Sequence, residues 1–390
     1  MGVQWVIKLS KLCNLRCQYC YEFPSLGDPQ RMELTNIDTF FRHVADFYHN
    51  APQKMDFVWH GGEPLLHKPS FYEQIFKLQQ RYFDPVNIPF KNSIQTNLFA
   101  LRPETIEFLR ENFENIGVSV DLFGDLRVDI AGRPSQHKVL ENMQRMLDAG
   151  VRFGCITVLH RFTAPRVEAI FEFFYELGIS FRLLPIYRTG FEHQQDSLGL
   201  TDAEIVEAFK KVTDLWFEMK GFLQVRPIED YVSNVLRRYA GPHLRSDFYN
   251  KRNGEVLFIV DTDGAVYSNA DAYGSEYCYG NIFENSLGDL LGGHGYERAI
   301  TASEERMHLT CSKCNFHGAC SGFFMGEATP EQRYLDDQGQ LKCGIALPLH
   351  RYIEQKLAAH GILDVATNSL DRSKLPMVEW KERDGEAIEF

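Results

Sequence analysis

Between Val3 and Tyr187 the sequence alternates six times between a short apolar run and a longer segment with apolar residues at helical spacing. The runs are Val3 to Leu9, Met55 to Trp59, Ser93 to Leu98, Gly117 to Asp121, Val151 to Leu159 and Phe181 to Tyr187. Ile37, Phe40, Phe41, Val44 and Phe47 fall on one helical stripe after the first run, and Phe71, Ile75 and Leu78 do so after the second. A third helix begins at Pro103 with Ile106 and Leu109 inward; Val139, Leu140, Met143 and Leu147 mark a fourth. Phe171, Phe174 and Leu177 mark a fifth, closed by Gly178. Thr201 and Glu204 read as a capping box for the next helix. Strands that alternate with helices pair in parallel through helical crossovers. The chain therefore folds as an α/β protein, either a doubly wound sheet or an open barrel of the TIM kind. In a barrel the chemistry gathers at the C-terminal ends of the strands.

From about residue 225 the pattern changes. Val256 to Val260 and Ala265 to Ser268 flank Asp263-Gly264, a hairpin signal. A cysteine-rich stretch runs from Cys311 to Glu327, and Leu347 to Ala359 reads as a last helix. The tail from Asp371 is charged and poor in pattern, as a docking arm or a disordered end would be. The 390 residues suffice for two domains, or for one large domain with an extension. No apolar run reaches the roughly 18 residues of a membrane span, and the N-terminus lacks a signal-peptide pattern. A cytoplasmic location follows as the expectation, with thiols kept reduced. Nine cysteines there argue for metal rather than disulfides. A net charge of −12 disfavours nucleic acid as a partner and is compatible with a basic peptide.

The first run leads into Cys13-Asn14-Leu15-Arg16-Cys17-Gln18-Tyr19-Cys20. Three thiolates can hold three irons of a [4Fe–4S] cluster and leave the fourth open; the next cysteine is as far off as Cys155. An open metal position can bind a substrate or cofactor. Structural zinc wants four ligands, and free cysteines are often simply buried. The second run ends in His60-Gly61-Gly62-Glu63-Pro64. Its glycines permit close approach of backbone to a ligand, and its carboxylate can accept hydrogen bonds from an ammonium group; on its own such a segment is a turn. Gln95 and Asn97 end the third run, and Ser119 and Asp121 the fourth. Polar groups in such places need partners, supplied by a ligand or by neighbouring loops. Cys155 reads as core, and the scattered histidines make no ligand pair at helical spacing. Finally, Cys311, Cys314, Cys320 and Cys343 are too dense for packing and suit a tetrahedral sulfur site, zinc or iron–sulfur.

The three cysteines at CxxxCxxC spacing, followed by Gly61-Gly62-Glu63-Pro64, resemble the radical S-adenosylmethionine (SAM) enzymes. The resemblance decides for a partial (β/α)6 TIM-type barrel over residues 1–225, a SPASM-like iron–sulfur extension over 226–360 and a C-terminal tail over 361–390. It implies that a [4Fe–4S] cluster on Cys13, Cys17 and Cys20 chelates SAM, and that one electron from it yields a 5′-deoxyadenosyl radical. Gly61, Gly62, Glu63 and Pro64 would meet the SAM amino group, and Tyr19 the adenine side. Gln95, Asn97, Ser119 and Asp121 would meet its ribose and carboxylate, and Arg127 the carboxylate. The extension resembles a family that shares two auxiliary clusters. Here Phe324 stands at one expected cysteine position, and Tyr267-Ser268-Asn269-Ala270-Asp271 replaces the segment that holds another. One auxiliary [4Fe–4S] cluster is expected on Cys311, Cys314, Cys320 and Cys343, with zinc the chemical alternative. Cys278 stands isolated, and Asp271 is a candidate general base, or a turn residue.

Over nearly its full length the chain is similar to maturases of ribosomally made peptides, several of which join an aromatic ring to a nearby β-carbon. The implied activity is hydrogen abstraction from a precursor peptide, ending in an intrapeptide crosslink. An electron donor such as flavodoxin or ferredoxin is implied. The chain enters its first strand at once, so the expectation is that the barrel and extension recognise the peptide, by strand addition or through a separate leader-binding protein. The rival readings are Ser or Cys oxidation to formylglycine, as in sulfatase maturation, and a catalytically dead metal-stabilised peptide-binding protein.

Overall fold

A computed structural model describes residues 2–186, 197–219, 222–240, 251–253, 255–268, 277–326, 336 and 338–374. Ten strands form one open sheet: β1 (Val3–Lys8), β2 (Met55–His60), β3 (Phe90–Thr96), β4 (Asn115–Ser119), β5 (Gly154–Leu159), β6 (Phe181–Pro185), β7 (Val225–Arg226), β8 (Leu257–Val260), β9 (Ala265–Tyr267) and β10 (Gly280–Asn281). Their order is β10-β9-β8-β1-β2-β3-β4-β5-β6-β7. From β8 through β1 to β7 all neighbours are parallel, and β9 and β10 are added antiparallel. Helices α1 (Leu34–Tyr48), α2 (Pro69–Phe83), α3 (Pro103–Asn112), α4 (Gln136–Asp148) and α5 (Val167–Leu177) make the crossovers, and α6 (Asp202–Glu218) joins β6 to β7. The expected capping box opens α6: Thr201 Oγ1 accepts the Glu204 N–H, and Glu204 accepts the Thr201 N–H.

Side chains alternate across a strand, and here the two faces differ in chemistry. On the face under the helices, Trp5 stacks on Phe258 at 4.3 Å and meets Phe40 edge-on at 5.2 Å. The same layer packs Phe41, Phe57 and Phe83 ring against ring. The inner face is polar. Asp56 accepts from Ser93 Oγ at 2.7 Å and pairs with Lys91 at 3.2 Å, and Gln4 lies beside it. This placement leaves the apolar layer to stabilise the fold and the inner face to carry polar groups.

The structure corrects several boundaries. Phe47 is exposed and Tyr48 takes the buried place on α1; Leu177 is also exposed, and on α3 Phe108 joins Leu109 in the core while Ile106 packs against it partly buried. Strand β3 begins at Phe90, β5 at Gly154, and β6 ends at Pro185, with Tyr187 outside the described residues. The hairpin at Asp263-Gly264 forms as expected, with Gly264 at φ 91°. Its first strand, β8, lies against β1, so the C-terminal part of the chain continues the sheet of the N-terminal part. Further on, α7 (Ile228–Tyr239), α8 (Leu287–Leu291), α9 (His294–Cys311), α10 (Phe323–Gly326) and α11 (Ala346–Ala359) complete the described helices. Helix α11 is fastened by Tyr352 to Asp214 on α6 at 2.7 Å and by Glu354 to Tyr239 on α7 at 2.5 Å. Among the described residues no helix is long and apolar enough to cross a membrane.

Candidate active site

The cysteine loop leaves the C-terminal end of β1 and is pinned against the loop that follows β4. Arg16 N donates to Val128 O at 2.7 Å, Gln18 N to Leu126 O at 2.9 Å, and Leu15 bridges Asp129. Burial, with smaller contributions from neighbouring thiols of the loop, pushes the Cys13 thiol up to about 11 and the Cys20 thiol up to about 12. Cys17 is raised by burial too, with Arg127 acting against the rise. Hydrogen bonds reach the Cys13 sulfur from Leu15 N at 3.4 Å and from Asn97 Nδ2 at 3.6 Å. Three desolvated thiols that feel one another's charge call for a cation to stabilise them as thiolates, which fits an iron–sulfur cluster. Among the described residues no three His, Cys, Asp or Glu side chains meet at one point as a single metal ion requires.

The segment after β2 packs against the stem of that loop. Gly62 N donates to Ser10 O and Glu63 N to Leu12 O, both at 2.9 Å. Gly61 sits at φ 109°, and a Cβ on it would overlap Ser10 O. A Cβ on Gly62 would overlap Leu12 O and Lys11 O. The close approach that the glycines allow is thus to the chain's own backbone. The Glu63 side chain is buried and turned to the end of β3: it accepts from Thr96 Oγ1 and Asn97 N at 2.7 Å each and from Leu65 N at 2.9 Å. Burial raises its pKa, and those donors act against the rise.

The remaining expected residues form two groups. Gln95 Nε2 donates to Ser119 Oγ at 2.8 Å across the inner face, over Gly117, where a Cβ would strike the Gln95 side chain. Asn97 is held by Asn14, Glu63 and Phe99 as well as Cys13. Around Tyr19, the hydroxyl donates to Asp121 and accepts from Arg127 Nη1 at 3.1 Å. Asp121 accepts further from Val158 N at 2.8 Å and Thr157 Oγ1 at 3.3 Å. Burial pushes the Tyr19 hydroxyl well up, so it stays a donor.

His160 belongs to this second group and was not singled out from the sequence. It follows β5 as Asp121 follows β4, and that shared place at a strand end is the signal that could have found it. Its ring stacks on Tyr19 at 5.9 Å, and Nδ1 accepts from Phe162 N at 3.2 Å. That contact assigns the ring proton to Nε2, an atom that is buried without a partner among the described residues. Arg127 Nε, in the same group, is likewise buried with no partner among the described residues. Two orphaned donors beside the cysteine loop fit a ligand rich in acceptors.

Cys311 ends α9, and Cys314, Cys320 and Cys343 gather near it. Burial pushes Cys311 up to about 12 and Cys343 up to about 11, and other members of the group raise both. Backbone bonds from Cys314 N to Cys311 O and from Cys320 N to Phe316 O shape the turn. The four thiols therefore share one neighbourhood and fit a second sulfur-ligated centre. Cys278 is engaged elsewhere, near Gly280 O and the Tyr267 hydroxyl. Asp271 lies outside the described residues.

The sequence model described as Radical SAM superfamily matches residues 7–174. The chain is 25% identical over 326 residues to the cysteine-type anaerobic sulfatase-maturating enzyme of Clostridium novyi, covering 80% of this chain and 84% of that protein. It is 27% identical over 332 residues to the serine-type enzyme of Bacteroides thetaiotaomicron, covering 80% and 79%. In fold it is similar to anSMEcpe solved with bound AdoMet, at a TM-score of 0.72 and 21% identity over 91% of this chain and 97% of that one. Streptococcus suis SuiB bound to S-adenosylmethionine is also similar, at a TM-score of 0.56 and 18% identity, over 87% and 78%. The open parallel sheet is therefore the partial barrel of these enzymes. Residues 7–174 match the radical SAM superfamily, and over 80% of its length the chain shows homology to anaerobic sulfatase-maturating enzymes.

Proposed function

We propose that this protein is a radical SAM peptide maturase that abstracts a hydrogen atom from a side chain of a ribosomally made precursor peptide and directs the resulting radical into an intrapeptide crosslink. The observation that carries the reading is the cage of three desolvated thiols at the end of β1, backed by the Gly62 and Glu63 backbone. When bound, a [4Fe–4S] cluster and SAM supply a 5′-deoxyadenosyl radical. Cys13, Cys17 and Cys20 would hold the cluster. Gly61, Gly62, Glu63 and Pro64 would meet the SAM amino group, with the Glu63 side chain tying that segment to the end of β3. Tyr19, Asp121, Arg127 and His160 would orient the adenosyl portion, and Gln95, Asn97 and Ser119 would shape the floor beside it. Cys311, Cys314, Cys320 and Cys343 would carry one auxiliary [4Fe–4S] cluster. Asp271 is assigned, on sequence grounds, to take the substrate proton. Residues 1–225 would act as the barrel, 226–360 as the extension and 361–390 as a tail, in the cytoplasm, with a flavodoxin or ferredoxin as reductant.

A second reading has a specific observation in its favour. Relatives that match 80% of this chain include cysteine-type and serine-type sulfatase-maturating enzymes, which favours oxidation of a Ser or Cys to formylglycine. One experiment tests both. Anaerobically reconstituted protein is given dithionite and SAM, and 5′-deoxyadenosine is measured against Cys17→Ala. The wild type should form it and the variant should not; equal, null results from both overturn the radical reading. Coexpressed peptide substrate that loses two hydrogens and does not react with hydrazide is crosslinked. A hydrazide-reactive product is the aldehyde.

A further inference from the structure

Five residues before Cys13 and two after Cys20, a lysine and a glutamate meet inside the sheet. Lys8 Nζ lies 2.5 Å from Glu22 Oε1, and the two side chains are only 1% and 6% exposed. A buried pair of this kind loses about as much in desolvation as it regains by attraction, so it is poor evidence for stability as such. Its position is more informative. Lys8 is the last residue of β1 and Glu22 follows the last cysteine, so the pair closes a ring of chain that contains all three thiols.

Several contacts root this ring. The Lys8 carbonyl accepts from Thr262 Oγ1 at 3.0 Å, and Lys11 pairs with Asp261 at 2.8 Å, both on the hairpin after β8. The Lys8 ammonium also lies 5.4 Å from the centre of the Tyr21 ring. On its other side the Glu22 residue faces the cysteines. Its carboxylate charge acts on Cys20, and its backbone N–H donates to the Cys20 sulfur. Charge and hydrogen bonds at the sulfurs are the levers by which a protein sets the potential of an iron–sulfur cluster.

We propose that Lys8 is a positioning residue of the cysteine loop, which clamps Glu22 and offsets its negative charge at the Cys20 corner, so that a cluster held by Cys13, Cys17 and Cys20 would be easier to reduce. The inference rests on the reading of that cage as the cluster site. A carboxylate left uncompensated beside Cys20 opposes the added negative charge of the reduced state. The clamp also fixes the N–H donor that Glu22 presents to sulfur.

The test uses the full chain, reconstituted anaerobically, as wild type, Lys8→Met, Glu22→Gln and the double variant. Iron content, thermal melting and the midpoint potential of the electron-spin-resonance signal that responds to SAM are measured without turnover. Lys8→Met should move the midpoint negative, Glu22→Gln should move it positive, and the double variant should return close to wild type. If Lys8→Met loses iron, recovery of both iron and potential in the double variant supports the clamp, and failure to recover overturns it. Equal potentials in all four proteins overturn the proposal alone. A wild type with iron but no SAM-responsive signal overturns the cluster reading, and the proposal with it.

Discussion

The Glu63 carboxylate accepts the backbone N–H of Asn97 at 2.7 Å and so ties the loop after β2 to the end of β3. Its other oxygen takes Thr96 Oγ1 and Leu65 N. Glu63→Gln would turn one acceptor into an NH2 group facing N–H donors. We expect a loss of about 2 kcal/mol, the usual result of stranding a buried donor. Urea denaturation of the cluster-free protein measures it, and an unchanged midpoint contradicts the assignment.

Tyr19 joins Asp121 to Arg127 through one hydroxyl. Tyr19→Phe should keep the ring and its stacking on His160 while it breaks that junction. SAM affinity of the cluster-loaded protein is expected to fall about tenfold, equivalent to about 1.4 kcal/mol. Titration calorimetry reads it directly.

His160 offers a buried donor at Nε2 with no partner among the described residues. His160→Phe removes the donor, whereas His160→Gln keeps an N–H in a similar place. SAM binding should weaken by roughly tenfold in the first, in line with one lost hydrogen bond, and much less in the second. Equal affinities in the two variants would show that the ring fills space only.

Iron stoichiometry separates the two thiol groups. Wild-type protein should hold about eight irons, and Cys343→Ala about four. Cys278→Ala and Cys155→Ala should leave the count unchanged, since Cys278 meets Gly280 and Cys155 sits alone in the core. About four irons with one zinc in the wild type would assign the second centre to zinc.

Three histidines make the fold sensitive to acid. Burial pushes His60, His67 and His350 down to about 4 from an ordinary 6.5. The folded state keeps them neutral, and the unfolded chain protonates them below about 6.5. The stability they contribute is present above about pH 6.5 and is lost as pH falls toward 4. For His350, 2% exposed and set against Asn234, the change is on the order of 3 kcal/mol. Denaturation of cluster-free protein at pH 7.5 and pH 5 should show a smaller difference for His350→Gln than for wild type.

Much of this architecture was legible in the sequence because it is periodic. Helical stripes and apolar runs mark the crossovers, and the cysteine loop falls at the end of β1, where they place it. What was hidden depends on distant neighbours. Strands β7 and β10 have two residues each and carry no period. Strand β1 reads as apolar, yet Gln4 and Lys8 face a polar interior, because a strand covered on both sides need not alternate in an obvious way. The need for glycine at position 62 comes from the Leu12 carbonyl, fifty residues earlier in the chain. His160 stayed hidden because only the folded sheet brings it to Tyr19.

Strand β1 lies between β2 and β8, with Gln4 facing Asp56 on one side and Leu257 on the other. During translation β1 therefore keeps one naked flank until Leu257 has emerged. Throughout that interval the flank is open to stray pairing with other nascent chains. Any shortened product that stops before Leu257 would carry its cysteines on an unfinished, aggregation-prone border.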